Sequence, residues 1–201
     1  SLTKTYGLPF GPENMTFQNF TQMLQIQNVA RAFKNSLFLS VTSSLVITIV
    51  TMIIAYISIR GAVRGVKGVK FMQMTVVLPY AVPGVIIALS MILAFSQPIA
   101  GVRLYNTIWI LLIAYIARFM NLGYNNISGA ISQVDTSLEE AARISGASQL
   151  RAFKDVMLPL LKSSLISSFF LVVAPTISEL SLSSLLWSVG NETIGTIVFS
   201  A

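Results

Sequence analysis

The 201-residue sequence predicts an all-α fold: a polytopic bundle of membrane-spanning helices with one helical segment held outside the bilayer. Three observations predict it. Hydrophobic residues make up 54% of the chain, and the mean hydropathy is +0.76. Charged residues make up 10%, against roughly 25% in a soluble domain, and a soluble globule of this size cannot hide so much apolar surface. Uncharged stretches of about 20 residues, the length a helix needs to cross a bilayer, recur along the chain.

Residues 1–34 read as an extracytoplasmic N-terminal segment. It begins polar, with Gly and Pro, and is weakly amphipathic from Met15 to Leu24, where a short surface helix and an ordered loop fit equally well. Residues 35–201 read as the transmembrane domain. The first span is 35–59, which carries no charge, and its core LVITIVTMIIAYISI is apolar all round, so periodicity does not say which face meets protein. The second span, 71–96, contains Pro79, Pro83 and Gly84. Each proline removes a backbone hydrogen bond and clashes with the preceding turn. Membranes tolerate such breaks where neighbouring helices or a cavity satisfy the backbone. Two readings stay open here: a kink in a packed helix, or a bend that shapes a translocation path.

The third span is 105–121, with Arg118 near its end, where a long side chain can snorkel; the sequence turns polar beyond Asn121. Between this span and the fourth, 160–178, lies the least membrane-like part of the middle of the chain, 135–158. Asp135, Thr136 and Ser137 are good N-caps, and Thr136 with Glu139, or Ser137 with Glu140, forms a capping box. A helix is predicted to start there and stop at Gly146, which accepts a left-handed conformation. Ser148 can cap a second short helix, and Pro159 sets the start of the fourth span. After that span, Glu179 is a carboxylate near membrane depth, a functional hypothesis by default. It suits either a hard-oxygen contact for a cation or a cap for the segment Leu180–Trp187, and Pro175 predicts a bend just before it.

The basic residues orient the spans. Arg60, Arg64, Lys67 and Lys70 lie between spans one and two, and Arg143, Arg151, Lys154 and Lys162 between three and four, with Arg118 just before them. The other side holds Lys4, Arg31, Lys34 and Arg103. The excess places the first group in the cytoplasm. The net charge of +6 is thus a topology signal, and no nucleic-acid partner is predicted.

With no Cys and no His, thiolate zinc sites, cysteine nucleophiles and Ser-His-Asp triads are excluded, and no metal site is predicted. An intramembrane enzyme would need catalytic groups at membrane depth, and a secondary transporter would carry charged relays within its spans. The spans supply neither. A non-transporting assembly subunit remains a different-class alternative.

The pattern E-A-A, three residues, G, nine residues, an aliphatic residue, one residue, L-P is met by Glu140, Ala141, Ala142, Gly146, Val156, Leu158 and Pro159. It resembles the signature of ABC importer permeases, with Val156 where Ile is usual. Asn35-Ser36, LPYAVPG at 78–84 and SLEEAA at 137–142 resemble the same superfamily. The stretch 177–200 is similar to permeases for ferric iron; those for phosphonates, thiamine and polyamines share much of it. The resemblance implies the type I ABC importer permease fold, with 135–158 as a coupling segment in which Glu140, Ala141, Ala142, Gly146 and Pro159 engage a cytoplasmic ATPase dimer. It implies no cofactor on this chain, because no G-x-x-x-x-G-K-[ST] is present; ATP and Mg belong to the ATPase. A second permease unit (a homodimer copy or a fused half), an extracytoplasmic substrate-binding protein and the lipid of a bacterial inner membrane complete the implied setting. Pro79, Pro83, Gly84 and Glu179 are the candidate substrate-path residues, and ferric iron is the implied cargo. A further span after residue 200 is also implied, so the chain is expected to be part of a longer protein.

Overall fold

The computed structural model describes residues 27–63, 65–98 and 101–200. The Met15–Leu24 helix expectation lies outside them. Ten helical segments follow one another, and no strand occurs among the described residues.

Helix α1, Gln27–Val63, is 37 residues long. At 1.5 Å per residue it measures about 55 Å, well beyond the expected 35–59. Lys34 and Arg60 bounded the uncharged stretch, but a charge sets a depth preference and does not stop a helix. The stripe Leu37, Val41, Leu45, Ile49, Ile53 and Ile57 is exposed, while Ser36, Ser40, Ser43, Ser44, Thr48 and Thr51 are buried. Small hydroxyl residues let helices approach closely in lipid. Several satisfy themselves on the helix backbone: Ser40 donates to the Leu37 carbonyl, Ser43 to that of Ser40 and Thr51 to that of Ile47.

The expected second span is two helices, α2 (Val69–Ala81) and α3 (Gly84–Phe95), bent by 110°. Neither is long enough to cross a bilayer alone. The break falls at Val82-Pro83: a residue before proline is driven from the helical region, and Val82 sits at φ −83°, ψ 131°. Pro79 does not break the chain; it lies within the last turn of α2, where its carbonyl accepts the Val82 N–H.

Helix α4, Ile108–Gln133, overruns the expected end of the third span by twelve residues. Its polar second half is helical because its polar side chains find partners: Asn125 donates to Asn121, and Asn126 to the Ser164 carbonyl at 3.0 Å. Helix α5 (Thr136–Ile144), the short α6 (Gln149–Ala152) and a π-helical turn (Phe153–Met157) lead into α7 (Leu158–Ile177). Pro159 occupies the first turn of α7, whereas α7 continues past Pro175 to Ile177, so the helix ends only after that proline. The short helices α8 (Ser183–Leu186) and α9 (Ile194–Ser200) close the described chain.

Helices α1, α4 and α7 pack mutually, and α2 packs on α4 and α1. One buried cluster centres on Leu39, Ile47, Ile110, Leu111, Tyr115 and Val172; another, toward the 135–158 end, on Ala55, Tyr124, Ile127, Met157 and Leu161. At the opposite end Asn35 donates to the carbonyls of Gly190 and Glu192, at 3.0 and 2.9 Å, and Ser36 accepts the Ile194 N–H. Among the described residues three continuous helices are long and apolar enough to cross a membrane, and the bent pair adds a fourth crossing if counted as one.

Candidate functional site: the 135–158 segment and the bend at Pro83

The segment after α4 is built from local chemistry. Asp135 caps α5, its carboxylate accepting the Ser137 N–H at 2.8 Å. That bond holds the Asp135 carboxyl below its ordinary range. A depressed folded pKa means the cap is intact above the ordinary carboxylate range and is lost as pH falls through the lowered value. The Ser137 amide should therefore keep its hydrogen-exchange protection at pH 5 and lose it only in stronger acid; Asp135→Asn should remove this acid dependence. Thr136 and Ser137, also read as possible caps, lie inside the helix.

Helix α5 ends in a Schellman arrangement: Ala147 N–H donates to the Ala142 carbonyl and Gly146 N–H to that of Arg143, both at 3.0 Å, with Gly146 at φ +94°. This conformation is routine only for glycine. Ser148 then caps α6 through the Arg151 N–H.

Of the expected coupling residues, Glu140, Ala141, Gly146 and Pro159 are exposed and Ala142 is half-buried. Ala142 and Gly146 share a hollow of about 280 Å³ with Arg151, Asp155 and Val156. Glu140 lies round the helix, beside Arg60, Glu139 and Arg143. Pro159 borders a separate hollow with Lys154 and Lys162. The segment also leaves Ile144 87% and Leu150 76% exposed.

Glu139 is the residue whose role differs most from the sequence reading. It forms no capping box. It is 4% exposed, and its Oε1 accepts from Arg60 Nε at 2.7 Å while Oε2 accepts from the Tyr56 hydroxyl at 2.8 Å. No local pattern announces a partner 79 positions away.

Three of the four candidate path residues meet at the bend. Arg118 does not snorkel at a helix end: it lies about 15 Å along α4. Its Nη1 donates to the Val82 carbonyl at 3.0 Å, satisfying a backbone group freed by Pro83. Its Nε stands 3.9 Å from Glu179 Oε2. Gly84 makes this possible, because a Cβ there would lie 2.8 Å from Ser181 Cβ and 3.3 Å from the guanidinium carbon. Glu179 Oε1 accepts the Leu182 N–H at 2.9 Å, just before α8. Pro83 itself is exposed, and Pro79 lies a turn away within α2.

The sequence profile described as "Binding-protein-dependent transport system inner membrane component" matches residues 50–201. PhnV of Salmonella typhimurium, whose name assigns it to a 2-aminoethylphosphonate transport system, is 29% identical over 136 residues, 68% of this chain and 51% of that protein; the chain spans about half the length of this relative. The ferric transport system permease FbpB of Actinobacillus pleuropneumoniae is 33% identical over 58% of this chain and 16% of its own. The putrescine transport system permease PotI of Escherichia coli is 27% identical over 90% and 65%. Among solved structures, a bacterial ABC transporter involved in alginate import superposes with a TM-score of 0.71 at 19% identity, covering 94% of this chain and 73% of that one, which establishes the shared fold. With the profile matching most of its length, the chain belongs to the binding-protein-dependent transport system inner-membrane component family, the permeases of ABC importers.

Proposed function

We propose that this chain forms part of the substrate path of an ATP-driven importer in a bacterial inner membrane, and that its 135–158 segment docks on a cytoplasmic ATPase dimer. One observation carries the reading: a helix, glycine turn and helix with the Glu140-Ala141-Ala142…Gly146 pattern leaves Glu140, Ala141 and Gly146 exposed and Ile144 and Leu150 uncovered. Exposed large aliphatic side chains on an otherwise charged segment suit a protein groove. ATP and Mg would be held by the ATPase, a second permease unit would complete the path, and a binding protein would deliver cargo at the end carrying Asn35 and Gly190. A solved alginate transporter of the same fold has been captured with its periplasmic protein.

Pull-down with the ATPase tests this. Glu140→Lys should weaken association by charge reversal. Gly146→Val should weaken it by forcing a β-branched residue into a left-handed conformation, a cost of roughly 1–2 kcal/mol. Ile144→Asp should remove an apolar contact worth about 1.5–3 kcal/mol if buried on docking. Full association and full ATP-dependent uptake in all three variants would overturn the docking assignment; absence of uptake by the wild-type complex would point to an assembly subunit.

Ferric iron is the proposed cargo, supported by the likeness of 177–200 to ferric permeases and by FbpB. A second reading, an organophosphonate, is favoured by Arg118, whose buried Nε has no hydrogen-bond partner and suits an oxyanion. Competition between radiolabelled Fe(III) and 2-aminoethylphosphonate in proteoliposome uptake separates the two.

A further inference from the structure

Helix α1 is remote in sequence from the 135–158 segment, yet its last two turns are fastened to it. Arg60 is 6% exposed and Glu139 4%. Both carboxylate oxygens of Glu139 are taken, one by Arg60 and one by Tyr56. The same guanidinium donates through Nη2 to the Val134 carbonyl at the C-terminus of α4, at 3.0 Å, and lies 3.7 Å from Met157 Sδ. The Tyr56 ring meets Phe153 edge-on, with centroids 4.6 Å apart.

The three routes out of α5 differ in stiffness. Toward α7 the chain passes through the left-handed Gly146 turn, beyond which α6, the π-helical turn and α7 run on as one continuous helix, Gln149–Ile177, its π-helical turn of a kind frequent at functional sites. Toward α4 it passes through the extended Val134-Asp135 link. Toward α1 it passes through a buried, doubly hydrogen-bonded ion pair, which cannot slip without stranding a desolvated charge. We infer that Arg60, Tyr56 and Glu139 are positioning residues that make α5 and the adjoining end of α1 move as one body. A displacement delivered to the docking segment then enters the bundle through α1, with the Gly146 turn as the flexible joint between α5 and the helix that continues into α7. This rests on the proposed docking of 135–158 on an ATPase.

The test uses the assembled transporter in proteoliposomes. The chain has no native cysteine, so spin labels can be placed at Val63→Cys with Ser145→Cys (α1 to α5) and at Ser145→Cys with Ser163→Cys (α5 to α7), all at exposed positions. Between nucleotide-free and ATP-trapped states the first distance should stay fixed and the second should shift; a first distance that shifts as much as the second overturns the inference. In unlabelled protein Glu139→Gln, which keeps shape and hydrogen-bonding oxygen but removes the charge, should co-purify with the ATPase yet lose about tenfold in substrate moved per ATP, with Glu139→Asp recovering part. Wild-type transport per ATP in Glu139→Gln would also overturn it. If the wild-type chain fails to bind the ATPase at all, the docking proposal has failed instead, a separate readout.

Discussion

Arg118→Met is expected to destabilise the protein by about 3–5 kcal/mol, the cost of leaving a buried charge without its partner. Arg118 and Glu179 have side chains 20% and 9% exposed, with Nε and Oε2 3.9 Å apart, so screening by water is slight. The substitution also strips the Val82 carbonyl of its donor, and an unpaired buried acceptor costs about 1–3 kcal/mol. The double variant Arg118→Met/Glu179→Gln should recover much of the loss, because the neutral amide oxygen can still accept the Leu182 N–H. Thermal unfolding in detergent measures both. Equal melting temperatures for the single and double variants would show that the ion pair is not what holds the bend.

Gly123→Leu should be comparably damaging, for steric reasons. Gly123 sits on α4 where α1 and α7 converge. A Cβ there would lie 2.8 Å from Ile47 Cγ2, 3.0 Å from Thr51 Oγ1 and 3.4 Å from Ser168 Oγ. Ile47, Thr51 and Ser168 are fully buried, so nothing can retreat into open space. Overpacking of this kind costs about 1–3 kcal/mol for added methylenes, so Gly123→Ala should lie in that range and Leu above it. Gly129, on the same helix, has nothing within 4 Å of a built Cβ, and Gly129→Ala should be neutral or stabilising by about 0.5–1 kcal/mol. If the two alanine variants melt alike, the three-helix contact is looser than the geometry states.

The elements of 135–158 were legible in the sequence because their determinants are local: Asp135 and Ser148 cap helices a residue or two away, and Gly146 terminates one through its own backbone. The long helices were legible as apolar stretches but not in their limits. Arg60 and Asn121 looked like ends, whereas each is the partner of something distant or of a neighbouring turn. Reading Arg118 as a snorkelling terminus followed from that misplaced limit. The facing of α1 was written in its serines and threonines: in lipid the small hydroxyl residues turn inward and the large aliphatic ones outward, so a search for apolar periodicity alone looks at the wrong side. The Glu139–Arg60 and Arg118–Glu179 pairs join residues 79 and 61 positions apart, and only the folded bundle brings them together.

The interruption at Val82-Pro83 has an energetic consequence for motion. In an unbroken transmembrane helix any sharp change of direction must rupture backbone hydrogen bonds in a medium that offers no replacement. Here the ladder is already open, and the Val82 carbonyl is held by a long, jointed guanidinium instead of a neighbouring amide. Re-aiming α3 relative to α2 therefore leaves both helices their own hydrogen bonds; what must give is the Arg118 contact with Val82 and the packing of Ile87 and Ala88 in the core. The bend can thus change without rupture of either helix's backbone ladder, and Arg118 is the side chain that must travel with it.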